Sequence, residues 1–129
     1  MPLDTGIGVM LLLGLAGATG AAVRFAVAEW ATKRWQITFP LATLLINVTG
    51  AFALGLLTTA EGGSGALAQA RLLLGTGFLG GYTTFSTLSY DTHSLLRSRQ
   101  TGAAWLNALG SLVLGIAAAA LGLWCGSHL

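Results

Sequence analysis

The chain has 129 residues, of which 8% are charged, against about 25% in a typical soluble domain. Hydrophobic residues make up 54% and mean hydropathy is +0.77, more apolar surface than a core this small can hide; this excludes an ordinary globular enzyme and a disordered chain. Cys125 is the one cysteine, which excludes an intrachain disulfide and a CxxC metal site, and a net charge of +2 is too sparse for nucleic-acid binding.

Four apolar stretches, at about 6–28, 39–60, 68–95 and 103–125, each have the roughly 20 residues that a bilayer-crossing helix needs. They predict a single all-α membrane domain over 1–129. The start Met1-Pro2-Leu3-Asp4 lacks the basic region of a signal peptide, so the first stretch reads as a retained span. Its small residues Ala16, Gly17 and Gly20 allow another helix to approach closely. Arg24 lies four residues before the span ends. Two readings stand for it: an interfacial anchor whose side chain snorkels to water, or a fixed cation at the mouth of an anion pathway.

The connection 29–38 holds Lys33 and Arg34 between Trp30 and Trp35, which suits a helix end at the lipid headgroups. In the second span Asn47 falls near the bilayer midplane, with Thr43 and Gly50 on its face. Such an amide either bonds a neighbouring helix or donates to a passing anion. A flexible turn, Glu61-Gly62-Gly63-Ser64-Gly65, leads into the third span.

That span carries Gly75-Thr76-Gly77-Phe78-Leu79-Gly80-Gly81-Tyr82-Thr83-Thr84-Phe85-Ser86-Thr87-Leu88-Ser89. Gly75, Gly77 and Gly80 match a dinucleotide-binding GxGxxG by accident, because no strand precedes them. Glycines followed by a run of hydroxyl residues weaken helix at mid-membrane, and a break near Gly80-Gly81 is expected. A tightly packed kinked helix is the alternative. Broken backbone at this depth must be buried in protein or bind something, and its free carbonyls suit a cation such as Na⁺. Asp91 and His93 lie nearer the span's end; His93 and His128 are read as facing water and form no metal-ligand pattern. In the fourth span Asn107 and Ser111 share a face and are read as helix packing.

Lys33, Arg34, Arg97 and Arg99 fall on one side of a four-span layout and Arg71 on the other, which would put both termini outside. The interior equipment is hydroxyls, an amide, one Arg and aromatic ring edges, all favouring a small anion. Four helices around their own core leave no pore, so a passage between subunits is expected.

The stretches 17–25, Thr43-Leu44-Leu45-Ile46-Asn47-Val48-Thr49-Gly50, and above all Gly77 to Thr87 resemble the Fluc (CrcB-type) fluoride channels. The resemblance covers the first three spans in order, and the Gly-Gly-x-Thr-Thr-Phe-Ser-Thr run is long and specific. It implies a channel, not an enzyme, that lets fluoride leave the cell passively across the inner membrane and lowers its toxicity. It further implies an antiparallel, dual-topology homodimer with two pores. A structural, untransported Na⁺ would be held by the carbonyls of Gly80 and Thr83. Asn47 would donate to fluoride, Phe85 would present its ring edge, and Thr84, Ser86 and Thr87 would add hydroxyls. Arg24 matches the family's first-helix Arg, and Asp91 stands where a vestibule acid is usual. Leu88 occupies the place of a second Phe. A small four-helix drug/proton antiporter and a non-transporting assembly subunit are the alternatives; the first span lacks the carboxylate that the antiporter needs.

Overall fold

The computed structural model describes residues 3–36, 39–59 and 65–128. The chain folds into α1 (Leu3–Trp35), α2 (Leu41–Thr59), α3 (Gly65–Leu72), a π-helical segment (Leu73–Leu79), α4 (Gly80–Tyr82), α5 (Phe85–Arg97) and α6 (Thr101–Ser127). No strand occurs among the described residues. Of the turn expected at 61–65, residues 61–64 lie outside them and Gly65 begins α3.

Three of these helices, α1, α2 and α6, are long and apolar enough to cross a membrane. The expected third span is composite, running from α3 through the π-helical segment and α4 into α5. α1 is about 50 Å long at 1.5 Å per residue and exceeds a hydrocarbon core of about 30 Å. It continues past residue 28, and residues 29–35 of the segment read as a connection are its last turns. Lys33 and Arg34 there favour the negative end of the helix dipole. Gln36 ends the helix in the left-handed region (φ 44°), its N–H donating to the Thr32 carbonyl. α5 ends likewise. Arg99 (φ 64°) donates to the Leu96 carbonyl and Gln100 to that of Leu95, a Schellman turn into α6.

The molecule is apolar outside, and its interior holds polar residues beside a few apolar ones such as Ile46, Leu79 and Leu95. Leu11, Leu15, Phe25, Trp105, Leu112 and Ile116 are exposed, while Thr43, Thr84, Asn107 and Ser111 are buried. A surface of that kind suits lipid, where leucine gains nothing from being hidden. Helix contact comes instead from close backbone approach. A Cβ on Gly81 would fall on the Gly17 carbonyl of α1, and one on Gly122 would fall on the Phe52 carbonyl of α2.

Residue order along these contacts fixes direction. Gly17 and Gly20 of α1 meet Gly77–Gly81 and Phe78–Tyr82, rising together, so α1 runs parallel to the composite element. Gly55 of α2 meets Ala119–Leu123 of α6 and Thr59 meets Gly126, so α2 and α6 are parallel too. α5 and α6, joined by the Schellman turn, are antiparallel, with Thr92 bonded to Asn107.

The helix break lies at Thr83 and Thr84, and the expectation of a break near Gly80-Gly81 is corrected. Gly80 and Gly81 are helical, with Gly80 at φ −61°, ψ −38°. Thr83 (φ −79°, ψ 156°) and Thr84 (φ −147°, ψ 120°) are extended. The physical reason is that Gly81 serves the approach to α1, and packing outweighs its weak helix propensity.

Candidate ion pathway

The break is closed by one side chain. Asn47 Nδ2 donates to the Thr84 carbonyl at 2.9 Å, and its Oδ1 accepts from the Thr84 N–H at 2.9 Å. Thr84 Oγ1 then caps α5, accepting from the Thr87 N–H at 3.0 Å and donating to Thr87 Oγ1 at 3.1 Å. Ser86 Oγ lies 3.2 Å from the same hydroxyl. Thr84 is buried, whereas Ser86 and Thr87 are exposed.

These bonds leave carbonyls over. The Thr84 N–H that would reach Gly80 is held by Asn47, and the Thr87 N–H that would reach Thr83 is held by Thr84. Among the described residues, no hydrogen bond ends on the Gly80 or Thr83 carbonyl. Gly80 is itself exposed, with nothing within 4 Å of a Cβ placed on it. Neutral oxygens of this type suit a hard cation, and no cluster of three His, Cys, Asp or Glu side chains occurs among the described residues.

Three surface grooves surround the break. A groove of about 400 Å³ is lined by Asn47, Gly80, Thr83, Thr84, Phe85 and Leu88 among others. A second, of about 620 Å³, shares Asn47, Phe85 and Leu88 and continues along Ser89, Thr92 and His93 to Ser111 of α6. Phe85 is 80% exposed, its ring unpacked within the chain. The third groove, of about 350 Å³, is lined by Thr32 and Trp35 of α1, Thr43 of α2, and Thr87 and Asp91 of α5. There Thr43 Oγ1 donates to Asp91 Oδ2 at 2.9 Å.

The structure thus gathers Asn47, Thr84, Phe85 and Leu88 around one break and places Asp91 with Thr43 and Thr87 beyond it. Arg24 is not among them. It is half-buried on α1, lines none of the three grooves, and makes no hydrogen bond or ion pair among the described residues. Asn47 is not a free donor either. One of its two N–H groups is spent on Thr84, leaving one for another acceptor.

Two polar residues of α6, Asn107 and Ser111, are buried. Asn107 is fully buried and donates to Thr92 Oγ1 at 3.0 Å, while its Oδ1 has no partner among the described residues. Ser111 Oγ is buried without a partner and sits on the groove that holds Phe85. Asn107's bond to Thr92 is the helix packing expected of it, whereas Ser111's place on the groove that holds Phe85 required the antiparallel turn.

The architecture is that of an all-helical membrane protein with a broken helix and open grooves beside the break. A family model described as "CrcB-like protein, Camphor Resistance (CrcB)" matches residues 11–123. The chain is 47% identical over 118 residues to a protein of Leifsonia xyli subsp. xyli named "Fluoride-specific ion channel FluC 1", covering 92% of this chain and 86% of the relative. It is 43% identical over 125 residues to a "Fluoride-specific ion channel FluC" of Thermus thermophilus, covering 96% and 98%. A similarly named protein of Roseiflexus sp. is 42% identical over 114 residues, covering 88% and 92%. The chain belongs to the CrcB family. It is a multi-pass membrane protein of a channel class, not an enzyme.

Proposed function

We propose that this chain conducts fluoride passively out of the cell across the inner membrane; its relatives are named fluoride-specific ion channels. The observation that carries the reading is the exposed Phe85 ring beside Asn47 at the helix break, on a groove whose largely apolar wall also holds the hydroxyls of Ser89, Thr92 and Ser111. The second amide N–H of Asn47, the edge of Phe85 and the hydroxyls of Thr84, Ser86 and Thr87 form the path, with Ser111 facing it from α6. Neutral donors hold a small anion loosely enough for it to leave, which conduction requires. Asp91, satisfied by Thr43, stands beyond the break as the vestibule acid. Arg24 acts from outside the grooves, as an interfacial or pore-mouth cation.

The four crossings form one membrane domain over 1–129, and two copies associate as an antiparallel, dual-topology homodimer. Each groove is open on its outer side, and the Phe85 ring has no covering side chain within its own chain, so a second copy completes the wall. Gly80 and Thr83 of each copy supply carbonyls to one Na⁺, which is structural and not transported. The donor set fits, being neutral oxygens freed by the Asn47 and Thr84 side-chain bonds. When bound, the ion neutralises carbonyl dipoles that hydrocarbon would otherwise leave unpaired.

Proteoliposomes of the purified chain test the reading: fluoride efflux without chloride efflux is the expected result. Equal release of both anions, or of neither, overturns it.

A further inference from the structure

One end of the bundle is basic. Lys33 and Arg34 lie in the last turn of α1, Arg97 closes α5, and Arg99 sits in the turn into α6. α1 runs parallel to the composite element, and its Thr32 and Trp35 share a groove with Thr87 and Asp91 of α5. The ends of α1 and α5 therefore lie on the same side of the molecule. All four basic side chains are exposed. Lys33 pairs with Glu29 at 3.0 Å, whereas Arg34, Arg97 and Arg99 make no hydrogen bond or ion pair among the described residues. Trp30 and Trp35, in edge contact with ring centroids 5.6 Å apart, set this end at the level of lipid headgroups.

Beside the arginines lies a groove of about 150 Å³ between α5 and α6, lined by Thr92, Leu96, Ala104, Trp105 and Ala108. It adjoins the larger groove through Thr92, Leu96 and Ala108 but reaches no residue of the proposed ion path. Leu96 directly precedes Arg97, and Trp105 stands about 6 Å along α6 from its first residue, Thr101, so the groove opens next to the basic turn. Thr92 is its one polar side chain, and that hydroxyl is spent: it donates to the Leu88 carbonyl at 2.8 Å and accepts from Asn107. An exposed apolar wall with no free donor suits hydrocarbon rather than an ion.

We infer that this end binds an anionic phospholipid, with its phosphate against Arg97 and Arg99 and an acyl chain along Leu96, Trp105 and Ala108. Unpaired guanidinium groups match a phosphate in charge and in geometry. The adjoining apolar groove favours a lipid over free phosphate. Arg34 and Lys33 extend the positive field to neighbouring headgroups, each basic residue near the surface contributing roughly fivefold in anionic-lipid affinity. The inference is independent of which ion is conducted.

The test is native mass spectrometry of the purified chain equilibrated with equimolar phosphatidylglycerol and phosphatidylcholine, with glycerol 3-phosphate as a competitor in a further arm. Wild type is expected to retain phosphatidylglycerol in preference. Arg97→Gln with Arg99→Gln is expected to reduce that preference about fivefold for each arginine removed, and the matching Lys pair to keep most of it. Ala108→Phe, which fills the groove and leaves the arginines in place, is expected to lower phosphatidylglycerol retention. Circular dichroism checks that each variant is folded. Equal retention of the two lipids by wild type, or a double Gln variant that keeps the preference, overturns the site. Undiminished retention by Ala108→Phe, or glycerol 3-phosphate competing as well as the whole lipid, overturns the place given to the acyl chain.

Discussion

Asn47 and Thr84 are bonded twice, amide to peptide, across 37 positions of sequence. The geometry is that of one rung of a sheet, made by a side chain in place of a strand. It satisfies both backbone groups of the residue where α4 and α5 separate, which hydrocarbon could not do. The clamp also holds Phe85, the next residue, on the groove that Asn47 itself lines.

Asn47→Asp loses the donor to the Thr84 carbonyl and sets a carboxylate on the proposed path. Fluoride efflux is expected to fall below detection. Asn47→Ala leaves both Thr84 groups unpaired, at roughly 1–3 kcal/mol for each. Thermal unfolding in detergent, read beside flux, separates the two effects: the Ala variant shows a lower midpoint as well as lost flux.

Phe85→Ile removes a polarised ring edge and keeps apolar bulk. Flux is expected to stop while the protein folds normally, because the ring is 80% exposed and supports no core. Leu88 lines the same two grooves, so Leu88→Phe places a ring within the path and is expected to change the fluoride rate. Efflux rates of the two variants, compared with wild type, check both.

Gly81→Ala forces a methyl against the Gly17 backbone, and the helices have no flexible side chain there to yield. A loss of about 1–3 kcal/mol, seen as a lower unfolding midpoint, is expected. Gly110→Ala, inside α6 with nothing within 4 Å of the added carbon, is the matched control and is expected to hold or raise the midpoint.

Replacing Na⁺ by a large organic cation during purification is expected to abolish flux or loosen the dimer on size exclusion. Thr83→Ser keeps the carbonyl and a hydroxyl able to reach Leu79, as Thr83 Oγ1 does at 2.9 Å, and should retain the Na⁺ requirement. Full transport after rigorous Na⁺ removal would argue against the carbonyl site.

Membrane residence was legible in composition, because ten charges in 129 residues leave no other solvent for so apolar a chain. The existence of a broken helix was also legible, from glycines and hydroxyl residues crowded at mid-span. Its position was not. Gly80 and Gly81 look like the weak point, yet contact with α1 keeps them helical and the chain parts at Thr83–Thr84. Asn47 was visible as a midplane amide, but not its bonds to Thr84, since no local pattern announces a pairing 37 residues away. Ser111 looked like packing until the α5–α6 turn set it on the groove that holds Phe85. Arg24, judged by its distance from a span end, lies on a helix that continues well past that end.

The parallel pairing of α1 with the composite element, and of α2 with α6, has a consequence for biosynthesis. α2 packs most extensively against the last helix to be made. As the ribosome delivers the chain, α2 enters lipid without its principal mate and waits there until the final span emerges. Gly55, whose close contacts are Ala119, Gly122 and Leu123 of α6, is meanwhile bare to lipid, open to whichever helix arrives first. Pairing late and with a distant segment is the order that favours misassembly in a crowded bilayer. Truncation before α6 should accordingly leave a product that the cell's membrane proteases clear, rather than a three-helix remnant that persists.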